Sequence, residues 1–335
     1  MSPKNTMPIS SKTTFTGSPL RMMSFIDPLK DLVEHTEVGN NSWFLVGRLE
    51  GEGHHFGFLT HQMSMNKGLL RRCSDGNSII DLDTGWYRVK EDIYPRRKVT
   101  LPKKGLEIRT PKTTITGSFE EWSVHLTVPD GEATLTLRPV GGVLLNAGAG
   151  SFSFFGKPVF QYALPSLATT GTVVANDGQT YQVSGMTWFD RQWNPLPPLD
   201  GTSLAATWKW TWFNLNLDNG DLISLWDILH RTKEQSFATV LHPNGSQTIV
   251  PVTPVAQDAA DFWVSPATGN RYPTHWIIRI PTLNAELEVS PQARRDQEVS
   301  SPLVSRYEAA CSIKGTYQGK PTSGHTYVEM VGNWK

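Results

Sequence analysis

The chain has 335 residues, 31 Lys+Arg against 31 Asp+Glu, a formal net charge of +0 and a pI ≈ 7.1. That balance leaves no basic footprint for nucleic acid or an anionic membrane, and no run nears the roughly 18 apolar residues of a spanning helix. The length favours two domains, each able to bury a core, and the 12 Trp suit strands, pockets and stacking.

Residues 1–24 are polar with scattered lysines and read as a flexible N-terminal segment. They lack the apolar centre of a secretory signal, which predicts a cytoplasmic protein. Cys73 and Cys311 stand one in each half without a CxxC, as reduced thiols rather than a disulfide framework. Helical periodicity is nearly absent, and Ile26 to His35 is the stretch that admits a short helix. Strand patterns follow. Ser42 to Gly47 and His55 to Met63 flank a Glu-Gly-Glu-Gly turn and predict a hairpin. Gly105 to Thr110, Thr113 to Gly117, Glu120 to Val128 and Ala133 to Val140 give four more short strands. Thr170 to Ala175 pairs with Thr180 to Gly185 across Asn176-Asp177-Gly178, and Trp208 to Leu217 with Asp221 to Leu229 across Asp218-Asn219-Gly220. Strands at His275 to Ile280, Ala285 to Ser290, Tyr307 to Tyr317 and His325 to Gly332 complete an all-β sandwich or barrel pattern. The proline cluster after Asn194 cannot join a central strand. It divides the chain into an N-terminal domain, 25–194, a Pro-rich linker, 195–201, and a C-terminal domain, 202–335.

Just before that division stands Trp188-Phe189-Asp190-Arg191-Gln192-Trp193, one carboxyl among indoles with a guanidinium and an amide beside it. A carboxyl held between aromatic walls stays protonated near neutral pH, because desolvation disfavours its charged form. Aromatic faces in turn stabilise a cation formed when the proton leaves. On a strand, Trp188, Asp190 and Gln192 share one face, so Arg191 aims away from Asp190. Trp208, Trp210 and Trp212 share a parity of their own and offer a second wall. The plainer readings are an Asp–Arg ion pair and a packed strand face.

Several ordered segments resemble the AttH / carotenoid 1,2-hydratase family: Trp43 to Leu49, Thr116 to Phe119, Tyr162 to Pro165, Thr170 to Thr172, Val183 to Asp190, Tyr307 to Ala310 and Tyr327 to Gly332. Two departures are visible. Asn41-Ser42-Trp43-Phe44 replaces an acidic residue with paired tryptophans, and Arg306-Tyr307-Glu308 lacks the tryptophan of a Tyr-Trp-Glu pattern. The resemblance implies two tandem lipocalin-like antiparallel β domains. It also implies a cofactor-independent Brønsted-acid catalyst of natural-product metabolism, acting on a hydrophobic prenylated or polyene substrate. Protonation of an alkene or epoxide would give a tertiary carbocation, followed by hydration, rearrangement or cyclisation. The alternatives are a Diels–Alderase that folds a polyene in an inter-domain pocket, or a lipocalin-like carrier of an apolar ligand inside an indole-lined barrel.

The candidate catalytic residues are Asp190, Gln192 and Tyr162. The candidate substrate-binding residues are Trp188, Trp193, Trp208, Trp210, Trp212, His61, Glu120, Glu308 and Glu329. His54, His55 and His61 lack metal-ligand spacing, so neither a metal nor a cofactor is assigned, and the expected partner is a small hydrophobic substrate.

Overall fold

A computed structural model describes residues 26–67, 70–176, 178–195, 208–230, 233–302 and 304–334. Twelve strands form the first sheet: β1 (Asn40–Gly51), β2 (His54–Lys67), β3 (Leu70–Asp81), β4 (Tyr87–Pro95), β5 (Leu106–Arg109), β6 (Thr113–Gly117), β7 (Trp122–Val128), β8 (Gly131–Pro139), β9 (Leu144–Leu145), β10 (Ser151–Phe154), β11 (Lys157–Ala175) and β12 (Gln179–Asn194). Their main path runs β4-β3-β2-β1-β12-β11-β8-β7-β6-β5.

The remaining strands are β13 (Trp208–Leu217), β14 (Leu222–His230), β15 (Lys233–Leu241), β16 (Gln247–Pro251), β17 (Ala259–Ala260), β18 (Trp263–Val264), β19 (Arg271–Tyr272), β20 (His275–Ile280), β21 (Ala285–Pro291), β22 (Glu298–Val299), β23 (Arg306–Tyr317) and β24 (Lys320–Val331). All but the small β18–β19 pair join a second sheet, ordered β16-β15-β14-β13-β24-β23-β21-β20-β17 with β22 beside β23. The fold is all-β, two curled antiparallel half-barrel sheets. Among the described residues no helix is long and apolar enough to cross a membrane.

Turn chemistry fixes the hairpins. Glu52 and Gly53 both take positive φ, 54° and 81°, which joins β1 to β2 with the twist the strands need. Each sheet closes round its own apolar filling, one containing Trp43, Phe58, Trp122 and Phe189, the other Phe213, Tyr272, Trp276 and Tyr307. A third apolar layer, with Phe44, Val46, Trp188, Trp212, Trp226 and Tyr327, lies between the sheets. Gly57 permits the close approach there, since a Cβ would sit 2.6 Å from Tyr327 Oη and 2.9 Å from Ile80 Cγ2. Both cysteines are buried and free.

Three expectations differ from what is seen. Ile26 to His35 forms turns, not a helix. The carbonyls that an internal ladder would use are taken by tertiary donors: Leu32 O accepts from Trp43 Nε1 at 2.8 Å, and Asp31 O and Val33 O accept from Arg191 at 2.8 and 2.5 Å. Strand β3 was not expected, because its sequence is polar. Its buried Asp75 is held by Gln62, Asn77, Thr110 and Thr113, so polar side chains replace the usual apolar alternation. The half-barrels are also filled, so Trp208, Trp210 and Trp212 face the space between the sheets rather than a barrel interior. The linker beyond Pro195, residues 1–24 and Asp177 of the expected Asn-Asp-Gly turn lie outside the described residues.

Candidate active site between the two sheets

The site is built from cross-strand rows. His61, Phe44, Asp190 and Ala163 lie side by side on β2, β1, β12 and β11. One step along, the row is Met63, Ser42, Gln192 and Gln161. On the facing sheet, Trp226, Trp212, Glu329 and Glu308 align across β14, β13, β24 and β23, beside Ile228, Trp210, Val331 and Arg306. Paired antiparallel residues share a face, so each row presents its side chains together.

Between the two walls lies a cavity of about 200 Å³. Phe44, Phe154, Trp208, Trp210, Trp212 and Trp226 supply its apolar surface, and His61, Gln161, Asp190, Gln192, Arg306 and Glu329 its polar groups. Burial deepens along the strands, from the half-exposed Asn40, Met65 and Val304 to the buried Phe44, His61 and Asp190.

Asp190 is 4% exposed. Burial, the largest influence, together with the nearby Glu329 carboxyl, pushes its pKa up to about 8; hydrogen bonds from Trp188 and Gln161 oppose this and do not prevail. Trp188 Nε1 donates to Asp190 Oδ1 at 3.0 Å. Arg191 points to the opposite face, between Trp43 and Trp193 at 4.4 and 5.0 Å from the ring centres. It donates to the carbonyls of Asp31, Val33, Ser42 and Gln192 and to Asn41 Oδ1. The guanidinium next in sequence therefore clamps backbone rather than ionising Asp190.

Across the cavity, Arg306 Nη2 donates to Glu91 at 2.6 Å and Nε to Glu308 at 3.1 Å, tying β23 to β4 of the other sheet. Trp210 Nε1 donates to Glu329 Oε1 at 2.6 Å. Burial and mutual repulsion hold Glu308 well above the usual carboxyl range, and burial also raises Glu329. His61 Nε2 lies 2.8 Å from Ser42 Oγ, while burial and the Arg306 charge hold the imidazole neutral. Ligand atoms of His61, Glu308 and Glu329 lie within 4.8 Å of one another, the grouping in the cavity best placed for a metal ion. Arg306 already occupies one oxygen of that cluster and Trp210 another, and the guanidinium opposes a further cation.

The AttH-like family model matches residues 78–333. The chain belongs to the AttH-like family. Dehydratase asqC of Emericella nidulans is 28% identical over 225 residues, 64% of this chain and 62% of that protein. Kievitone hydratase of Fusarium solani subsp. phaseoli is 28% identical over 212 residues, 60% of this chain and 57% of that protein. The chain thus spans less than two thirds of the length of these curated relatives. Among solved structures, an AttH from Nitrosomonas europaea superposes with a TM-score of 0.77 at 19% identity, covering 92% of this chain and 97% of that one. Kievitone hydratase from Nectria haematococca gives 0.77 at 21%, covering 92% and 94%. CghA with Sch210972 gives 0.55 at 11%, covering 88% and 89%. These likenesses show the shared fold.

In this AttH-like chain the cavity gathers Asp190, Gln192, Trp208, Trp210, Trp212, His61 and Glu329. Trp188 donates to Asp190 from two residues along β12, and Glu308 stands beside Glu329 on the next strand, just outside the cavity lining. Three candidates lie elsewhere. Tyr162 is one residue out of phase, so its hydroxyl donates to Pro28 O at 3.1 Å in the N-terminal filling. Trp193 is likewise on the inner face, stacked on His35 and Phe160. Glu120 is exposed between β6 and β7. Phe44, Gln161, Trp226, Phe154 and Arg306 were not anticipated. Parity with Asp190 across the hairpins would have found Phe44, whereas no local pattern marks Trp226 or Arg306.

Proposed function

We propose that this chain is a cofactor-independent acid catalyst that adds water to, or removes it from, a hydrophobic small molecule of natural-product metabolism. The supporting observation is a buried Asp190 carboxyl, its pKa pushed up to about 8 by desolvation, in an indole-lined cavity with its neighbouring arginine turned away. The names of the relatives, a dehydratase and a hydratase, favour this class. In the forward sense, Asp190 gives its proton to a prenyl alkene carbon. A tertiary cation forms against Trp212 and Trp210, and water then closes the C–O bond and releases a proton. Each aromatic face contributes about 0.5–2 kcal/mol to such a cation. Protonation of an epoxide oxygen, followed by rearrangement or cyclisation, starts from the same step.

Incubation with a prenylated phenol, followed by mass spectrometry for gain of water, tests the reading. Asp190→Asn keeps the shape and removes the proton, and is expected to lower kcat/KM by about 10²–10⁴-fold. Unchanged turnover would refute it. Cycloaddition or carriage needs the cavity and not the proton, so either leaves Asp190→Asn active in folding a polyene or in binding the ligand.

A further inference from the structure

Asp190 is one of three carboxyl groups round the cavity, and the mechanism above leaves the other two without work. Glu308 and Glu329 stand directly opposite each other across β23 and β24. Each has one oxygen engaged, Glu308 by Arg306 Nε and Glu329 by Trp210 Nε1. Among the described residues no donor reaches Glu308 Oε2 or His61 Nδ1, although both are buried. Two neighbouring carboxyl groups in a buried site disfavour double ionisation, since each charge raises the other's pKa and desolvation raises both. The nearby Arg306 guanidinium is already shared with Glu91.

We propose that Glu329, sharing one proton with Glu308 and faced by the His61 imidazole, is a second proton-transfer group on the wall opposite Asp190. Glu308 does not line the cavity and acts as its positioning residue. The groups facing Glu329 are Glu308 and Arg306 from β23, His61 from β2, Asp190 from β12 and Trp210 from β13, with Glu91 of β4 behind Arg306. The inference rests on the acid-catalyst reading and supplies its missing base. In hydration, Asp190 loses its proton to carbon. Water forms the C–O bond on the opposite side and passes a proton to the Glu329 carboxylate. That proton returns to Asp190 through solvent, so neither oxidant nor reductant is consumed. Dehydration runs the same transfers backwards: Glu329 donates to the leaving hydroxyl and the Asp190 carboxylate takes the C–H proton.

Infrared spectroscopy of the full chain at about pH 6, reading the carbonyl stretch of protonated carboxyl groups, tests this without substrate. Glu308→Gln is expected to remove one protonated carboxyl, and Asp190→Asn a different one. Glu329→Gln gives the same loss as Glu308→Gln should that variant not fold. An unaltered carboxyl band in the glutamate variants overturns the shared proton. An unaltered band in Asp190→Asn alone overturns the Asp190 reading and leaves the pair standing. With the prenylated phenol, Glu329→Gln is expected to fall about a hundredfold or more in kcat, and wild-type turnover there overturns its catalytic role. Stoichiometric Zn²⁺ binding by calorimetry, abolished in Glu308→Gln, would assign the cluster to a cation and overturn the proposal.

Discussion

A carboxyl kept protonated by burial is a standing cost to the fold, and its size can be worked out. Burial pushes the pKa of Asp190 up to about 8 from its ordinary 3.8. Below pH 3.8 both folded and unfolded chains hold the proton, and this carboxyl costs the fold no ionisation penalty. As the pH rises, the unfolded chain ionises first, and stability falls until the folded group also ionises at about 8. Each unit is worth about 1.36 kcal/mol, so the loss saturates near about 6 kcal/mol. Asp190→Asn removes this dependence. Its side-chain oxygen still accepts from Trp188 Nε1, and its new N–H is accepted by Gln161 Oε1, which has no donor, once the Gln161 amide turns over. The variant is therefore expected to gain about 1–2 kcal/mol over wild type at about pH 5, about 4 at about pH 7 and about 6 at about pH 9. Urea denaturation of both proteins at the three pH values measures the difference. A gap that does not widen with pH, or a variant less stable at high pH, would refute a neutral buried Asp190.

Arg191→Met is expected to lose about 3–5 kcal/mol, because five acceptors and two indole faces lose their guanidinium. Limited proteolysis should then cut within 26–38, which Arg191 and Trp43 tether, before the sheets open. Trp188→Phe removes the hydrogen bond that stabilises the Asp190 carboxylate. The basic limb of the pH–rate profile should move upward by about one unit, whereas a downward shift contradicts the assignment.

The sequence determined the strands wherever alternation and turn chemistry agreed. The Glu52-Gly53 and Asp218-Asn219-Gly220 turns set the register of β1–β2 and β13–β14. Period two by itself put Asp190 and Arg191 on opposite faces, as found. Local pattern could not show β3, whose buried Asp75 is satisfied by Gln62 and Asn77 and, from a distant hairpin, by Thr110 and Thr113. Nor could it phase Tyr162, because side-chain direction on β11 depends on its pairing with β12.

The site itself was decided by tertiary structure. Asp190 is acidic near neutrality because a second sheet covers it, and Trp212, Trp226 and Glu329 come from strands with no local tie to β12. Short-range sterics fix which face of a strand a residue occupies. What that face meets depends on how two separately filled sheets dock, and desolvation and charge proximity follow from the docking.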